Sequence, residues 1–163
     1  MSFTKDQLLQ RLPQIGTLTH ICVRPSKGAP IRLLPEVVLN PEVGIVGDHY
    51  AGRSGKRQVT LLQAEHLPVV AALLGLDVLD PTRLRRNLIV SGINLLALRD
   101  RQFQIGGEVV LQGTGACHPC SKMEENLGPG GYNAMRGHGG ITARVIVGGH
   151  IRTGAQVQVI AGK

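Results

Sequence analysis

Residues 103–124, FQIGGEVVLQGTGACHPCSKME, decide how the rest of the chain is interpreted. Residues 103–112 are rich in Val, Ile and Leu and are followed by glycine, which predicts a β-strand. From Gly113 the composition changes to Gly, Cys, His and Pro, as in an open loop, and helical composition resumes after Pro119. The stretch therefore predicts a strand that leads into a loop with two cysteines and then into a helix.

Short apolar runs of the same kind recur along the chain and predict further strands. They cover residues 16–24, 31–39, 58–62, 87–90, 141–147 and 157–160, with turns at Gly148-Gly149 and Thr153-Gly154 before the last run. Besides the helix predicted after Pro119, helical patterns cover residues 4–14, 64–74 and 80–85. Closing the strands into a barrel would remove their exposed edges. We therefore expect a mainly β fold, a closed or nearly closed barrel with a few short peripheral helices.

The whole chain, residues 1–163, is expected to form a single domain. Its 163 residues, 42% of them hydrophobic, suffice for one continuous core, and no repeat or linker interrupts them. Residues 1–15 form a helical extension, in which Leu8, Leu9 and Leu12 have the spacing of a helix face packed on the body. Residues 113–140 are the one long stretch not predicted as strand, and such stretches tend to carry function.

Charge and aromatic content bear on the kind of partner. The formal net charge of +7, from 18 Lys and Arg against 11 Asp and Glu, favours anionic ligands in any cleft that basic residues line. The basic residues are scattered, so the surplus also fits general solubility. Aromatic residues are only 2% of the chain, too few to stack bases, and we do not expect nucleic acid as a partner.

The expected compartment is the cytoplasm. The start, MSFTKDQLLQRLPQIG, lacks the apolar segment of a secretory signal, and three cysteines do not suit a disulfide framework. The longest apolar run, residues 67–76, contains Pro68 and Gly75 and is shorter than the roughly 20 residues that cross a bilayer. We therefore expect no association with a membrane.

The pair Cys117-x-x-Cys120 is the candidate site of chemistry. A cysteine in the first turn of a helix lies at the positive end of the helix dipole, which stabilises an anion. The pair is also compatible with a redox dithiol, with half of a zinc site, or with two small side chains that fill the core. A thioredoxin-type dithiol would need an α/β fold, whereas this pair lies late in a chain of β character. Further zinc ligands would have to come from His49, His118 and His138.

Five blocks of sequence resemble a known family. They are GDH (47–49), RQVTL (57–61), RRNLIVSG (85–92), TGACHPC (114–120) and MRGHGG (135–140). In this order, over about residues 16–160, they resemble the short bacterial MOSC proteins, named after the C-terminal domain of molybdenum cofactor sulfurases. The resemblance implies a MOSC β-barrel like the barrel domain of pyruvate kinase, with a few helices around it.

The resemblance also implies chemistry at one cysteine. In that family a single cysteine carries a persulfide delivered by a cysteine desulfurase, or ligates molybdenum in a molybdenum cofactor (molybdopterin). The Pro-Cys placement matches Cys120, with Cys117 as its catalytic neighbour. Proteins of the second kind reduce N-hydroxylated bases and receive electrons from a separate flavoprotein, and the family is also associated with binding of pyridoxal phosphate. A non-catalytic module that binds an anion or a protein partner remains the alternative.

Two residues are implied as ligands of the anionic pterin phosphate. In the family an Arg and an Asn in an R-x-N strand grip this group, and they match Arg85 and Asn87. Arginine offers a fixed fork of donors to a phosphate, and asparagine an orientable amide. The alternatives are a solvated helix end for Arg85 and a cap or turn for Asn87.

Five further residues are candidates for binding the cofactor. Asp48 and His49 lie in a loop of small residues that could close over a pocket, and Arg57, Thr60 and Arg136 could donate to an anion. Asp48 could instead form an Asx-turn, and His49 could be an exposed loop histidine.

Overall fold

The main feature of the protein is a closed β-barrel, seen in a computed structural model that describes residues 2–50, 52 and 54–161. The strands are β1 (Gly16–Val23), β2 (Arg32–Leu34), β3 (Glu36–Asn40), β4 (Gly44–Ile45), β5 (Val59–Gln63), β6 (Leu88–Ser91), β7 (Gln102–Ile105), β8 (Val109–Ala116), β9 (Ile141–Val147), β10 (Gly149–Arg152) and β11 (Gln156–Val159). The α-helices are α1 (Lys5–Gln10), α2 (His66–Leu73), α3 (Ser121–Leu127) and α4 (Gly131–Met135), and two 3₁₀ helices cover Pro81–Leu84 and Leu95–Leu98.

The barrel has seven strands in the order β11-β7-β8-β9-β5-β6-β1, and it closes where β1 pairs with β11. The strands β5 and β6 are parallel, and the other neighbouring pairs are antiparallel. The strand β2 pairs with the far end of β1, and β10, β3 and β4 form a separate small sheet. The predicted mainly β fold is confirmed, and closure satisfies the edges that an open sheet would expose.

Two apolar clusters hold the fold together. Alternate residues of the barrel strands point inwards and form an aliphatic core around Phe103, as the low aromatic content required. A second cluster lies between the barrel and the helices, and includes Leu62, Leu84, Met123 and Met135. Helices α3 and α4 contact each other closely, and α3 also contacts the first 3₁₀ helix. The loop of residues 117–120, which we call the cysteine loop, is therefore fixed between the barrel wall and this helical layer.

Residues 103–112 fold as part of a hairpin, not as the single strand that the sequence predicted. Gly106 and Gly107 separate β7 from β8 and have φ of 67° and 80°, a region open to glycine at little cost. The strand β8 then continues to Ala116, into residues 113–140, which were not predicted as strand. As a result the barrel wall extends to within a residue of Cys117.

Three further elements differ from the sequence expectations. Residues 31–39 divide into β2 and β3 around Pro35, which has no backbone N–H to donate to a continuous ladder. The strand β10 occupies the segment predicted as turns, and β4 lies where no strand was predicted. Strands of two to four residues are too short to show an alternating pattern.

The helix α1 begins as predicted but does not pack as predicted. Thr4 and Gln7 form a reciprocal capping box at its start. Leu8 and Leu9 are 55% and 61% exposed, so the predicted packing of their helix face is wrong, and only Leu12 packs against the core. None of the described helices combines the length and apolar character needed to cross a bilayer.

Gly139 and Gly140 allow an unusually close approach of three backbone segments. A Cβ on Gly139 would lie 1.9 Å from the carbonyl oxygen of Cys117, and one on Gly140 would lie 1.8 Å from that of Leu61. Gly140 also has φ of 84°. Because no side chain fits, this glycine pair determines how the start of β9 approaches β5 and the cysteine loop.

Replacing Gly140 with alanine should therefore destabilise the protein far more than the same change at Gly137. Both glycines have positive φ, but a Cβ at Gly137 would meet nothing within 4 Å. We expect a loss of about 1 kcal/mol for Gly137→Ala from the left-handed backbone. For Gly140→Ala we expect at least about 3 kcal/mol, or failure to fold, because the backbone must move. Chemical denaturation measures both, and equal losses would contradict the packing argument.

Candidate active site

A cavity of about 230 Å³ opens between the cysteine loop, the neighbouring ends of the barrel strands and the loop around Asp48. We call it the inner cavity. Eight of the nine site residues predicted from the sequence line it: Asp48, His49, Arg57, Thr60, Arg85, Asn87, Cys117 and Cys120. The ninth, Arg136, follows α4, is exposed and does not line the cavity.

The two cysteines of the pair have opposite environments. Cys120 is exposed and forms the N-cap of α3, one residue before the predicted first helical turn. Cys117 is only 1% exposed, and its backbone N–H donates to the carbonyl oxygen of Gly140 over 2.9 Å. The Arg57 guanidinium lies 3.9 Å from the Cys117 Sγ. The core-filling interpretation therefore fits Cys117, whereas Cys120 is open to reagents.

A third cysteine lines the inner cavity and was not singled out in the sequence. Cys22, in β1, is 2% exposed. Burial raises the pKa of its thiol to about 11, and the negative charge of Asp80 acts in the same direction. Cys22 is therefore a neutral thiol at physiological pH and is not a candidate nucleophile.

The residue that organises the cavity is Arg86, which sequence analysis missed although it lies beside Arg85. It is buried, and its Nε donates to the carbonyl oxygen of Gly139 over 2.7 Å and its Nη1 to that of Leu84 over 3.3 Å. Its Nη2 lies 3.5 Å from the carbonyl oxygens of Cys117 and His118. One guanidinium thus joins the segment around Gly139 to the cysteine loop.

The pKa of Arg86 depends on the groups around it. Burial lowers the pKa of Arg86, ionised Cys117 and Cys120 would raise it, and the charges of Arg57 and Arg85 lower it. A guanidinium nevertheless stays protonated in proteins. Negative charge on either cysteine would therefore stabilise the protonated form of Arg86, because opposite charges close together attract each other.

The inner cavity carries an excess of positive charge that carboxylates do not neutralise. Among the described residues, no carboxylate forms an ion pair with any of its four arginines. Asp48 is the one acidic side chain among the described lining residues. A cavity with this balance attracts anions. The four arginines are Arg24, Arg57, Arg85 and Arg86.

Asp48 and His49 fasten their loop to the end of β1. The Asp48 Oδ1 accepts the backbone N–H of Arg24 over 2.8 Å, and the backbone N–H of His49 donates to the carbonyl oxygen of Arg24 over 2.7 Å. Asp48 therefore makes a long-range contact rather than the local Asx-turn considered above. The half-buried His49 ring faces the inner cavity.

Thr60 and Asn87 bind each other across the parallel strands. The Thr60 hydroxyl and backbone N–H donate to the Asn87 Oδ1 over 3.1 and 3.0 Å, and the Asn87 backbone N–H donates to the Thr60 hydroxyl over 3.0 Å. The Asn87 amide nitrogen donates to the carbonyl oxygen of Cys22 over 3.2 Å. These groups hold the cavity wall, and one N–H of the Asn87 amide remains for a ligand.

Arg85 lines the inner cavity and has a left-handed backbone conformation. It follows the 3₁₀ helix Pro81–Leu84, which Asp80 caps, and it has φ of 55°. A left-handed conformation costs a non-glycine residue about 1–2 kcal/mol. In the part of the chain that the structure describes, its guanidinium makes no hydrogen bond or ion pair, so it is available to a ligand.

The donor groups of the cavity favour an anion or a soft atom. Within residues 2–50, 52 and 54–161, no three side chains of His, Cys, Asp or Glu are placed to hold a metal ion by themselves. The closed barrel is also not the α/β fold of a thioredoxin-type dithiol, so that interpretation of the pair is wrong. These features define a β-barrel protein with a cationic cavity and one accessible thiol.

Comparison with known proteins identifies the family. The MOSC domain matches residues 42–158, and the chain therefore belongs to the MOSC domain family. No curated protein matches the chain.

Several solved structures have the same fold. The YuaD protein from Bacillus subtilis aligns with a TM-score of 0.78 at 18% identity, over 94% of this chain and 100% of that one. YiiM from Escherichia coli aligns with a TM-score of 0.70 at 18% identity, over 90% of this chain and 71% of that one. YiiM from Geobacillus stearothermophilus aligns with a TM-score of 0.73 at 17% identity, over 89% and 75%. At these identities the likeness concerns the fold alone.

Alkylation of the native protein should distinguish the three cysteines. We expect neutral iodoacetamide to modify Cys120 alone, because Cys22 and Cys117 are buried, and to modify all three in denaturant. At low salt, the ratio of the alkylation rate by anionic iodoacetate to that by iodoacetamide should be higher at Cys120 than for free cysteine. Added salt screens the cavity and should bring this ratio back towards that of free cysteine. Mass spectrometry of peptides measures the sites and rates. Modification of Cys117 before Cys120 would contradict the assignment.

Arg86→Lys should destabilise the protein although it keeps the charge. A lysine lacks the guanidinium fork that binds the Gly139 and Leu84 carbonyl oxygens, so we expect a loss of about 2 kcal/mol. The control is Arg101→Lys, since Arg101 donates to the exposed carbonyl oxygen of Leu9, and it should cost less than about 0.5 kcal/mol. Urea denaturation compares the two variants. Similar losses would show that Arg86 has no special role.

Proposed function

We propose that this MOSC domain protein takes part in metal–sulfur cofactor chemistry and carries sulfur as a persulfide on Cys120. The observation that supports the proposal most directly is an exposed thiol on a cavity lined by four arginines. A sulfur carrier needs a thiol that a donor protein can reach and a surrounding that stabilises its anionic forms. Cys120 meets the first need by its exposure, and the arginines that line the same cavity would supply positive charge for the second.

The transfer step needs no external oxidant. The Cys120 thiolate attacks the outer sulfur of a persulfide on a cysteine desulfurase, so a new S–S bond forms at Cys120. The S–S bond of the donor breaks, and its cysteine leaves as a thiolate. The product at Cys120 is a persulfide, and sulfane sulfur has moved without net oxidation. Arg57, Arg85 and Arg86 line the same cavity as Cys120 and would favour negative charge on the attacking thiolate and on the persulfide.

A second candidate function is binding of a molybdenum cofactor with Cys120 as a metal ligand. The specific observation in its favour is the cationic wall without paired carboxylates, which suits the phosphate of a molybdopterin. The donor set fits, because such a metal takes most of its ligands from the pterin and needs one thiolate from the protein. When bound, the group would supply two-electron redox chemistry, as in a reductase of N-hydroxylated bases with a separate flavoprotein electron donor.

The residues of this chain would then bind and orient the pterin. Arg85 and Arg57 would donate to its phosphate, and the Thr60–Asn87 pair would keep the wall in place. Cys117 and Cys22 are sealed from solvent and would form the apolar side of the cavity.

One preparation tests both functions, with Cys120→Ser as the variant and Cys22→Ser and Cys117→Ser as matched controls. After incubation with a cysteine desulfurase and L-cysteine, we expect mass spectrometry to find one added sulfur atom on Cys120, lost in Cys120→Ser only. Protein expressed with molybdate would hold molybdenum in metal analysis if the second function applies, again lost in Cys120→Ser.

Three outcomes separate the alternatives. Sulfur without molybdenum supports the carrier function, and molybdenum that turns over a hydroxylaminopurine with a flavoprotein supports the reductase. If the wild type takes up neither sulfur nor molybdenum, both functions are wrong. If in that case anions still bind equally well to Cys120→Ser, the protein is a non-catalytic binding module.

A further inference from the structure

Two histidines outside the inner cavity form a close pair. The rings of His66 and His138 lie edge to face, with centroids 4.9 Å apart and planes inclined at 75°. His66 begins α2, and His138 lies in the turn between α4 and β9. Within the described residues no zinc site joins His138 to the cysteine pair, a possibility that the sequence left open. The pair thus connects a helix of the outer layer to the segment that leads into β9.

The hydrogen bonds of the pair indicate where its protons lie. The His138 Nδ1 is 3.0 Å from the carbonyl oxygen of Ala134, which can only accept, so this nitrogen carries a proton. The His66 Nδ1 is buried and has no hydrogen-bond partner among the described residues. A buried N–H without an acceptor is costly, so the neutral His66 ring carries its proton on Nε2. A second proton on His66 would have to lie on a nitrogen that has no acceptor.

The surroundings of His66 oppose a positive charge. Burial lowers the pKa of His66, the neighbouring His138 lowers it further, and the negative charge of Glu65 raises it. Glu65 is already engaged, because its Oε1 accepts the backbone N–H of Gly92 over 2.9 Å and its Oε2 accepts the side-chain amide of Gln63. Helices α2 and α4 contain no carboxylate, lysine or arginine, and Arg136, which follows α4, is exposed. The other described residues that line the opening beside His66 are uncharged: Leu12, Gln14, Gln63, Gly92, Ile93 and Asn94.

The pair is joined directly to the contacts that close the cysteine loop. Gly139 follows His138 in the chain, and its carbonyl oxygen accepts the Arg86 Nε over 2.7 Å. A Cβ on Gly139 would lie 1.9 Å from the carbonyl oxygen of Cys117, so the two segments are in tight contact. A displacement of His138 would therefore act on both Arg86 and Cys117.

The turn that carries His138 is freer to move than α2. Gly137 has φ of 81°, and a Cβ there would meet nothing within 4 Å. Helix α2, by contrast, is held in the second apolar cluster by Val70 and Ala71. Repulsion between the two rings would therefore displace the turn rather than the helix.

We propose that the His66–His138 pair is a pH-sensitive switch that holds the cysteine loop closed while both rings are neutral. At mildly acidic pH a proton on His66 is a buried donor without an acceptor, and it repels any charge on His138. The rings then separate, Gly139 moves away from Arg86, and the Cys117 thiol becomes accessible. The switch acts on the wall of the inner cavity whatever ligand the cavity holds, so it does not rest on the proposed function.

The switch closes as the pH rises and opens as it falls. Because the pKa of His66 is lowered in the folded protein, its contribution to the closed form is complete above the ordinary histidine value of 6.5. This contribution is lost as the pH falls through the lowered pKa. In that range opening takes up a proton, and acid therefore favours the open form.

The reactivity of the Cys117 thiol at about pH 7.5 and about pH 5 tests the proposal. Cys120→Ser protein is treated with N-ethylmaleimide, and peptide mass spectrometry gives the rate of modification at Cys117. Dividing this rate by the rate in denaturant at the same pH removes the ordinary pH dependence of a thiol. We expect the relative rate to rise at least about threefold at the lower pH. Cys22, which is also buried, is the internal reference and should not change.

The variant is His66→Gln, which is neutral at both pH values, and the matched control is His150→Gln. His150 lies in β10 of the small sheet and pairs with Glu36 over 3.3 Å. We expect the rise at Cys117 to disappear in the variant and to persist in the control. If loss of the ring leaves Cys117 reactive at both pH values, His66→Phe restores a ring that does not titrate and should protect Cys117 at both. In NMR titrations, His138→Gln should raise the pKa of His66.

Four results would overturn the proposal. They are no rise in the parent protein, a rise in His66→Gln or His66→Phe as large as in His150→Gln, a rise at Cys22 as large as at Cys117, and a pKa of His66 that does not respond to His138→Gln. The third result would indicate general unfolding in acid. None of these measurements depends on sulfur uptake or molybdenum content, so failure of the switch and failure of the proposed function are distinguishable.

Discussion

The buried guanidinium of Arg86 is the interaction on which the site depends. Removing a charge from water is costly, and the cost is offset only where the group is well hydrogen-bonded. Here backbone carbonyl oxygens do so: Gly139 and Leu84 accept directly, and those of Cys117 and His118 lie close. A carboxylate would have neutralised the positive charge, whereas carbonyl dipoles leave it in place. The same residue therefore fixes two loops and keeps the cavity positive for an anionic ligand.

The two glycines at the start of β9 make this arrangement possible. Without a side chain at Gly139, the carbonyl oxygen of Cys117 approaches closely enough for one guanidinium to reach both loops. The same approach buries Cys117, whereas Cys120, three residues on, remains exposed. The different environments of the two thiols thus follow from backbone packing in the barrel.

Sequence patterns predicted the barrel because most of its strands are long enough to alternate or to form β-branched runs. They missed β4 and β10, which are short, and the division of residues 103–112, which depends on two glycine turns. Most site residues were predicted through the resemblance of five sequence blocks to one family, and the structure brings eight of the nine together at the inner cavity. Arg86 was missed because the sequence cannot show which of two adjacent arginines points inwards. The Thr60–Asn87 contact depends on the parallel pairing of β5 and β6, which no local pattern reveals.

The main source of positive charge in the cavity beside Cys120 differs from the one that the sequence suggested. A helix dipole acts mainly within the first turn, and α3 has only seven residues. The guanidinium groups of Arg57, Arg85 and Arg86 carry whole charges around the same cavity, and a neighbouring opening continues them through Arg83 and Lys27. Unpaired side-chain cations are therefore the larger source of positive charge in the cavity. Because they belong to separate loops and to the 3₁₀ helix Pro81–Leu84, the positive charge of the cavity depends on the closed barrel that brings these segments together.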